Sequence, residues 1–349
     1  MLPNFYGNPS AALALSNMAR RRRVPQTLLL AGVEGVGKAT LARRFAALLL
    51  GSANKIENDD LSLPHNLEIV EDREKWPSEK RNDDPLLFST HPDFVTFPPD
   101  GPLRQISIQQ MRLLKERAQF KPHDGEHRVF LIDHIDRANE QAANSLLKTL
   151  EEPPEHLILM LTAENAYDLL PTIRSRAVML NLTPVNEDDM RAFVESRKLT
   201  DAARRTLLAA GSPGAAVSMD LTVYDQRRTA MLKLLEVAAG AAPFSEWTKY
   251  SETIASKKTD KLEFYLFVLY SLLEDLLLMS TAQLSPRNAD IRGQLERLAP
   301  RLTLDWLRKA VQRVDELVEL LRRNIQKAIA LDAFAVSLAA AQPLWFNDR

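Results

Sequence analysis

The stretch "LAGVEGVGKATLARRF", residues 30–45, decides how the first half of the chain is read. Gly32, Gly37 and Lys38 fit the phosphate-loop pattern G-x-x-x-x-G-K-[ST], and then Ala39 stands where a hydroxyl should be. Such a loop works because backbone N–H groups converge at a helix N-terminus and meet an anion there. The surroundings agree: "TLLLAG" (27–32) reads as a buried strand, the loop covers 32–37, and a helix starts at Lys38. Gly32, Gly35 and Gly37 permit the backbone angles of the turn, and Lys38 supplies a charge for the β and γ phosphates. Ala39 offers no oxygen to Mg²⁺. Thr40 is one residue on, about 100° further round the helix, and should point elsewhere.

Working outward, short apolar runs alternate with helical stretches, which predicts an α/β fold with a parallel sheet. "HRVFLIDHI" (127–135), "HLILMLTA" (156–163) and "AVMLNL" (177–182) are three further strands. "NEQAANSLLKTLEEPP" (139–154) reads as a helix that starts at an asparagine cap and stops at paired prolines. Asp133, ending an apolar strand, matches the acidic metal-supporting position of a phosphate-loop ATPase, and His134 follows it. Residues 51–90 carry ten acids against five bases with little periodicity, so a surface insertion, partly disordered, is expected there. Beyond residue 184 the pattern is helical, and only Gly240 and Gly293 follow Gly214. In the last long helix Leu304, Leu307, Val311, Val314, Leu317, Val318 and Leu321 recur at i, i+3, i+4 spacing. Three regions are expected: an α/β domain over 1–182, a helical lid over 183–222 and an all-helical domain over 223–349.

Bulk composition narrows the function. With 349 residues, 45% apolar and 26% charged, the chain is ordinary globular protein, and a net charge of -1 leaves any nucleic-acid contact to a local patch. Arg20 to Arg23 form one such run at the end of the first helix, where cations also suit the macrodipole. There is no cysteine, hence no disulfide, thiol nucleophile or thiolate zinc site, and no histidine pair has metal-ligand spacing. No signal pattern or spanning apolar run is seen, which predicts a soluble, cytoplasmic protein. Trp306 and Trp345 are expected in the core of the helical domain or in a partner surface.

"THPDF" (90–94), "ANSLLKTLEEPP" (143–154), "LLPTIRSRA" (169–177) and "GSPGAA" (211–216), in this order, resemble the AAA+ subunits of bacterial DNA polymerase III clamp loaders, those of delta prime type above all. The resemblance covers nearly the whole chain and is strongest over 24–216. It implies a RecA-like AAA+ domain with a lid, followed by a collar domain that joins five subunits into an open ring. Implied partners are gamma/tau-like motor subunits, a delta-like clamp-opening subunit and, through the assembly, the sliding clamp and primed DNA. It also implies a brace that does not hydrolyse ATP itself. Arg176, in the family's Ser-Arg-Cys position, becomes an arginine finger reaching into a neighbour's ATP site. Planar and permanently charged, arginine suits that task.

Departures from the motor pattern point the same way. The catalytic glutamate of the family is replaced by His134. The γ-phosphate-sensing position falls on Glu164, whose charge repels phosphate, and the lid's sensing arginine is absent from Gly211-Ser212-Pro213-Gly214. Gly32, Gly35, Gly37, Lys38 and Asp133 remain for residual nucleotide binding: no cofactor is required, and ATP or ADP, if held, is not hydrolysed. The family's four-cysteine zinc module has no counterpart, so no zinc and no metal site is expected. Two alternatives remain: an active motor using Thr40 and His134, and an AAA+-derived interaction protein outside any ring.

Overall fold

The computed structural model describes residues 5–256, 262–281, 286–321 and 326–340. Trp345 lies outside the described residues. The chain divides into two compact units, residues 1–202 with 209–217, and residues 203–208 with 218–349.

Unit one is built on five parallel strands: β1 (Thr27–Ala31), β2 (Phe94–Phe97), β3 (Arg128–Ile132), β4 (Leu157–Ala163) and β5 (Val178–Asn181), in the order β2-β3-β4-β1-β5. Leu29 pairs with Leu161, Leu30 with Leu180, and Phe130 with Leu159. β1 to β4 are buried throughout, the expected condition of parallel strands covered on both faces. Alternate residues serve opposite layers. Leu28, Leu30, Val129 and Met160 meet Leu15 and Phe45 of the helices Pro9–Arg20 and Lys38–Leu50. Leu29, Phe130, Leu159 and Leu161 meet Met111, Leu114, Leu146 and Leu150 of the helices Ile108–Ala118 and Glu140–Glu151. Because all strands run one way, the loops after β1, β3 and β4 open on a common carboxyl edge, where α/β proteins place their ligands.

The sequence predicts four of these strands; β2 was not expected. Its four residues "FVTF" are too short to show a period; it is an edge strand that pairs with β3 on one side and meets Phe88 through Thr96 on the other. Residues 51–90 also differ from expectation. They hold three helices, Ala53–Glu57, Pro64–Arg73 and Ser78–Asp83, each too short for an apolar stripe. Ile56 and Val70 are buried, and ion pairs of two buried arginines add to this anchoring. Arg73 is held by Asp100 at 2.8 Å and by Asp84 at 3.4 Å, and buried Arg43 pairs with Glu57 and Asp60. The acids read as a solvated run are in part the partners of these arginines.

Residues expected to form a separate lid share the sheet's core: Met190, Phe193, Val194, Ala209 and Ala216 pack with Leu28, Val36 and Leu41. Unit two is helical, with Leu221–Ala238, Phe244–Ser256, Leu262–Thr281, Leu304–Leu321 and Lys327–Ala340 around buried Trp247 and Trp306. Trp306 donates its indole N–H to the Leu338 carbonyl at 2.9 Å. A buried polar knot fixes the middle of this unit: Asn288 binds Asp275 and Tyr224, and Arg228 binds Asn288 and Asp290. In the expected stripe Leu307, Val314 and Leu317 are buried, whereas Leu304 and Val311 face outward. Among the described residues no helix is long and apolar enough to cross a membrane.

Candidate functional site

The phosphate loop leaves β1 at Gly32 and enters the helix at Lys38. Gly35 (φ +73°) and Gly37 (φ +102°) take left-handed angles that explain the choice of glycine. Lys38, 5% exposed as a residue, turns its ammonium onto the loop's own carbonyls, Gly32 O at 2.6 Å and Val33 O at 2.9 Å. Burial lowers its pKa, against the opposing pull of Asp133, Glu164, Asp136 and Glu34. Ala39 packs against the core. The Thr40 hydroxyl lies toward Arg43 of its own helix, at 3.5 Å, away from the role of a metal ligand.

The stretch 211–216 sits directly on this loop. Gly214 N–H donates to Gly35 O at 2.8 Å, and Ser212 Oγ donates to Glu34 O at 3.0 Å. A Cβ on Gly35 would meet Ser212 Oγ at 2.3 Å, and one on Gly214 would meet Gly35 Cα at 2.8 Å. From the other side, a Cβ on Gly37 would meet the Phe5 ring at 3.2 Å. In the sequence, "GSPG" served as part of the family resemblance and as the absence of a sensing arginine, with no contact to the phosphate loop expected. Its paired glycines are themselves a signal of close backbone approach.

At the end of β3, Asp133 accepts a 2.5 Å hydrogen bond from Thr162 Oγ1, and that oxygen accepts the His134 N–H at 2.8 Å. His134 sits at φ +56° with its Nδ1 buried and without a hydrogen-bond partner, 4.0 Å from Glu164 Oε1. Glu164 pairs with Arg137 at 3.4 Å, and its backbone N–H reaches Asp136. His134, Asp136 and Glu164 can bring ligand atoms within 4.8 Å of one another, a grouping not expected from the sequence. Its charge is already met in part by Arg137. No hydroxyl stands at 39, a glutamate stands at 164, and the backbone of residues 211–216 lies against Gly35, features that set this loop apart from the magnesium–triphosphate pattern.

Arg176 lies between the short helix Pro171–Arg174 and the edge strand β5. Its Nη1 donates to Thr172 O at 2.9 Å and its Nη2 to Glu151 Oε1 at 2.8 Å, and its side chain remains 33% exposed. Exposed Tyr167, Leu170, Val178 and Met179 flank it, and Arg174 stacks on Tyr167 at 5.0 Å. None of these partners belongs to the phosphate loop. Of the arginine run, Arg20 binds Asn17, and Arg22 approaches Glu126 at 3.9 Å, both on the surface.

A family model described as "DNA polymerase III, delta subunit" matches residues 7–186, more than half of the chain. The DNA polymerase III subunit delta′ of Escherichia coli (strain K12) is 31% identical over 218 residues, 61% of this chain and 63% of that protein. The subunit delta′ of Pseudomonas aeruginosa is 27% identical over 247 residues, 66% of this chain and 68% of its own. The subunit gamma of Buchnera aphidicola subsp. Schizaphis graminum is 29% identical over 183 residues, 52% of this chain and 45% of that one. The chain thus spans 63% and 45% of the length of the Escherichia coli and Buchnera relatives. A family model over more than half of the chain and relatives that are themselves clamp-loader subunits place it: the chain belongs to the DNA polymerase III clamp-loader family.

Proposed function

We propose that this chain is the non-hydrolysing, delta prime-like subunit of a clamp loader, bracing the ring and lending Arg176 to a neighbouring subunit's ATP site. One contrast carries this. Arg176 is held half-open on an exposed, partly apolar surface, while the chain's own Lys38 is buried against loop carbonyls under residues 211–216. A part-exposed guanidinium, with exposed Tyr167, Leu170, Val178 and Met179 near it in sequence, suits an interface in which arginine and aromatic groups anchor the contact. There it would stabilise the charge that develops on a transferring phosphoryl group.

The motor alternative needs Thr40 and His134 as working substitutes; the Thr40 hydroxyl, which lies toward Arg43 of its own helix, speaks against it. We propose no required cofactor and no zinc. The proposed partners are gamma/tau-like motors, a delta-like clamp opener, and the sliding clamp and primed DNA reached through them. Exposed Phe264, Phe267, Leu304, Val311, Ile329 and Val336 in the helical unit support a collar role, since so many apolar groups on one unit suit burial in an assembly.

The test is ATP turnover by a loader reconstituted with clamp and primed DNA, carrying wild-type chain, Arg176→Ala or Lys38→Ala. Loss of a trans arginine is worth about 10³-fold or more at the site it serves. Arg176→Ala should therefore slow turnover, with Lys38→Ala close to wild type. Damage by Lys38→Ala with Arg176→Ala neutral would make the chain a motor.

A further inference from the structure

We propose that Glu151 is the positioning residue for Arg176; this rests on the finger role proposed above. Arginine has a long side chain, and a finger that must find its direction at each turnover loses part of its catalytic effect. Here the guanidinium is fixed from two sides. Thr172 O takes one terminal nitrogen, and Glu151 Oε1 takes the other, with Ser175 Oγ at a longer 3.4 Å. Both supports rest on rigid ground: Leu150, beside Glu151, and Ile173, beside Thr172, are buried in the same core.

Glu151 is poorly placed for any local purpose. It is the last residue of the helix Glu140–Glu151, with Glu152 next to it, and two carboxylates at that end oppose the helix dipole. As an ion pair it is 49% exposed on the glutamate side and 33% on the arginine side, a setting in which a pair contributes little to stability. What the bond does supply is direction. Nη1 meets Thr172 O and, at 3.4 Å, Ser175 Oγ, while Nη2 meets Glu151 Oε1, which leaves the Nε–H and the second Nη2 hydrogen to meet phosphate oxygens. A planar fork held on two sides keeps its plane.

The experiment uses the reconstituted loader with clamp and primed DNA and compares wild type, Glu151→Ala, Glu151→Gln, Arg176→Ala and the double variant. It reads kcat, KM for ATP and the melting temperature of the isolated chain. Glu151→Ala should lower kcat about 10-fold, equivalent to about 1.4 kcal/mol, with KM and melting temperature nearly unchanged. Glu151→Gln, which keeps an acceptor oxygen, should fall between it and wild type. The double variant should be no slower than Arg176→Ala. A slow Arg176→Ala beside a normal or faster Glu151→Ala would overturn the positioning role and leave the finger standing. A double variant slower than Arg176→Ala by a further 10-fold would also overturn it, because Glu151 would then act elsewhere. A normal Arg176→Ala would remove the finger itself, and the positioning role with it.

Discussion

Gly214 and Gly293 both occupy the second position of a short helix, Pro213–Ser218 and Arg292–Leu298, and neither needs a positive φ. Helix propensity alone predicts that alanine stabilises both, by up to about 1 kcal/mol. Their surroundings decide otherwise. A Cβ at 293 meets nothing within 4 Å, whereas one at 214 meets Gly35 Cα at 2.8 Å and Gly35 O at 3.1 Å. These are backbone atoms, so no rotamer change relieves the contact. The segment must lift from the phosphate loop, weakening the Gly214 N–H to Gly35 O bond and the Ser212 to Glu34 bond beside it. Two such bonds are worth about 1–3 kcal/mol together. Set against the propensity gain, Gly214→Ala should destabilise unit one by about 1–2 kcal/mol. Gly293→Ala should stabilise unit two by a few tenths to about 1 kcal/mol. Urea unfolding of the full chain, with hydrogen exchange assigning each transition to its unit, reads both signs. Equal stabilisation by the two substitutions would refute the seating of residues 211–216 on the loop.

Two further outcomes are expected. Arg73→Ala removes the cation that holds the buried Asp100 carboxylate and the Asp84 carbonyl, and should destabilise unit one by about 3 kcal/mol in chemical denaturation. Asp290 accepts two hydrogen bonds from Arg228, which together with its charge and that of Arg204 hold the carboxyl below the usual range. The folded pKa is thus the lower one, so this contribution is present above the unfolded value of about 3.9 and is lost as pH falls through the folded value. Melting temperature of unit two measured from pH 6 down to pH 3 should drop below about pH 4, and less steeply in Asp290→Asn. Parallel curves for the two proteins would contradict it.

From the sequence alone came the parallel α/β unit, the phosphate loop, the missing hydroxyl at Ala39, the Asn139 cap and the Ser-Arg element at 175–176. These are local: apolar period, cap chemistry and glycine spacing depend on residues a few positions apart. The tertiary structure decided the rest. β2 exists because β3 and Phe88 offer it partners, and the helices of 51–90 are held in part by Arg43 and Arg73 buried among carboxylates, which a count of charges reads as a solvated run. The partner of Arg176 is 25 residues away in sequence, and the bond from Ser212 to the phosphate loop spans 178. Whether a lysine faces a phosphate or its own loop, and whether an arginine hangs loose or is aimed, depends on such distant pairs. Their identities are printed in the chain, but packing alone brings them within hydrogen-bond reach.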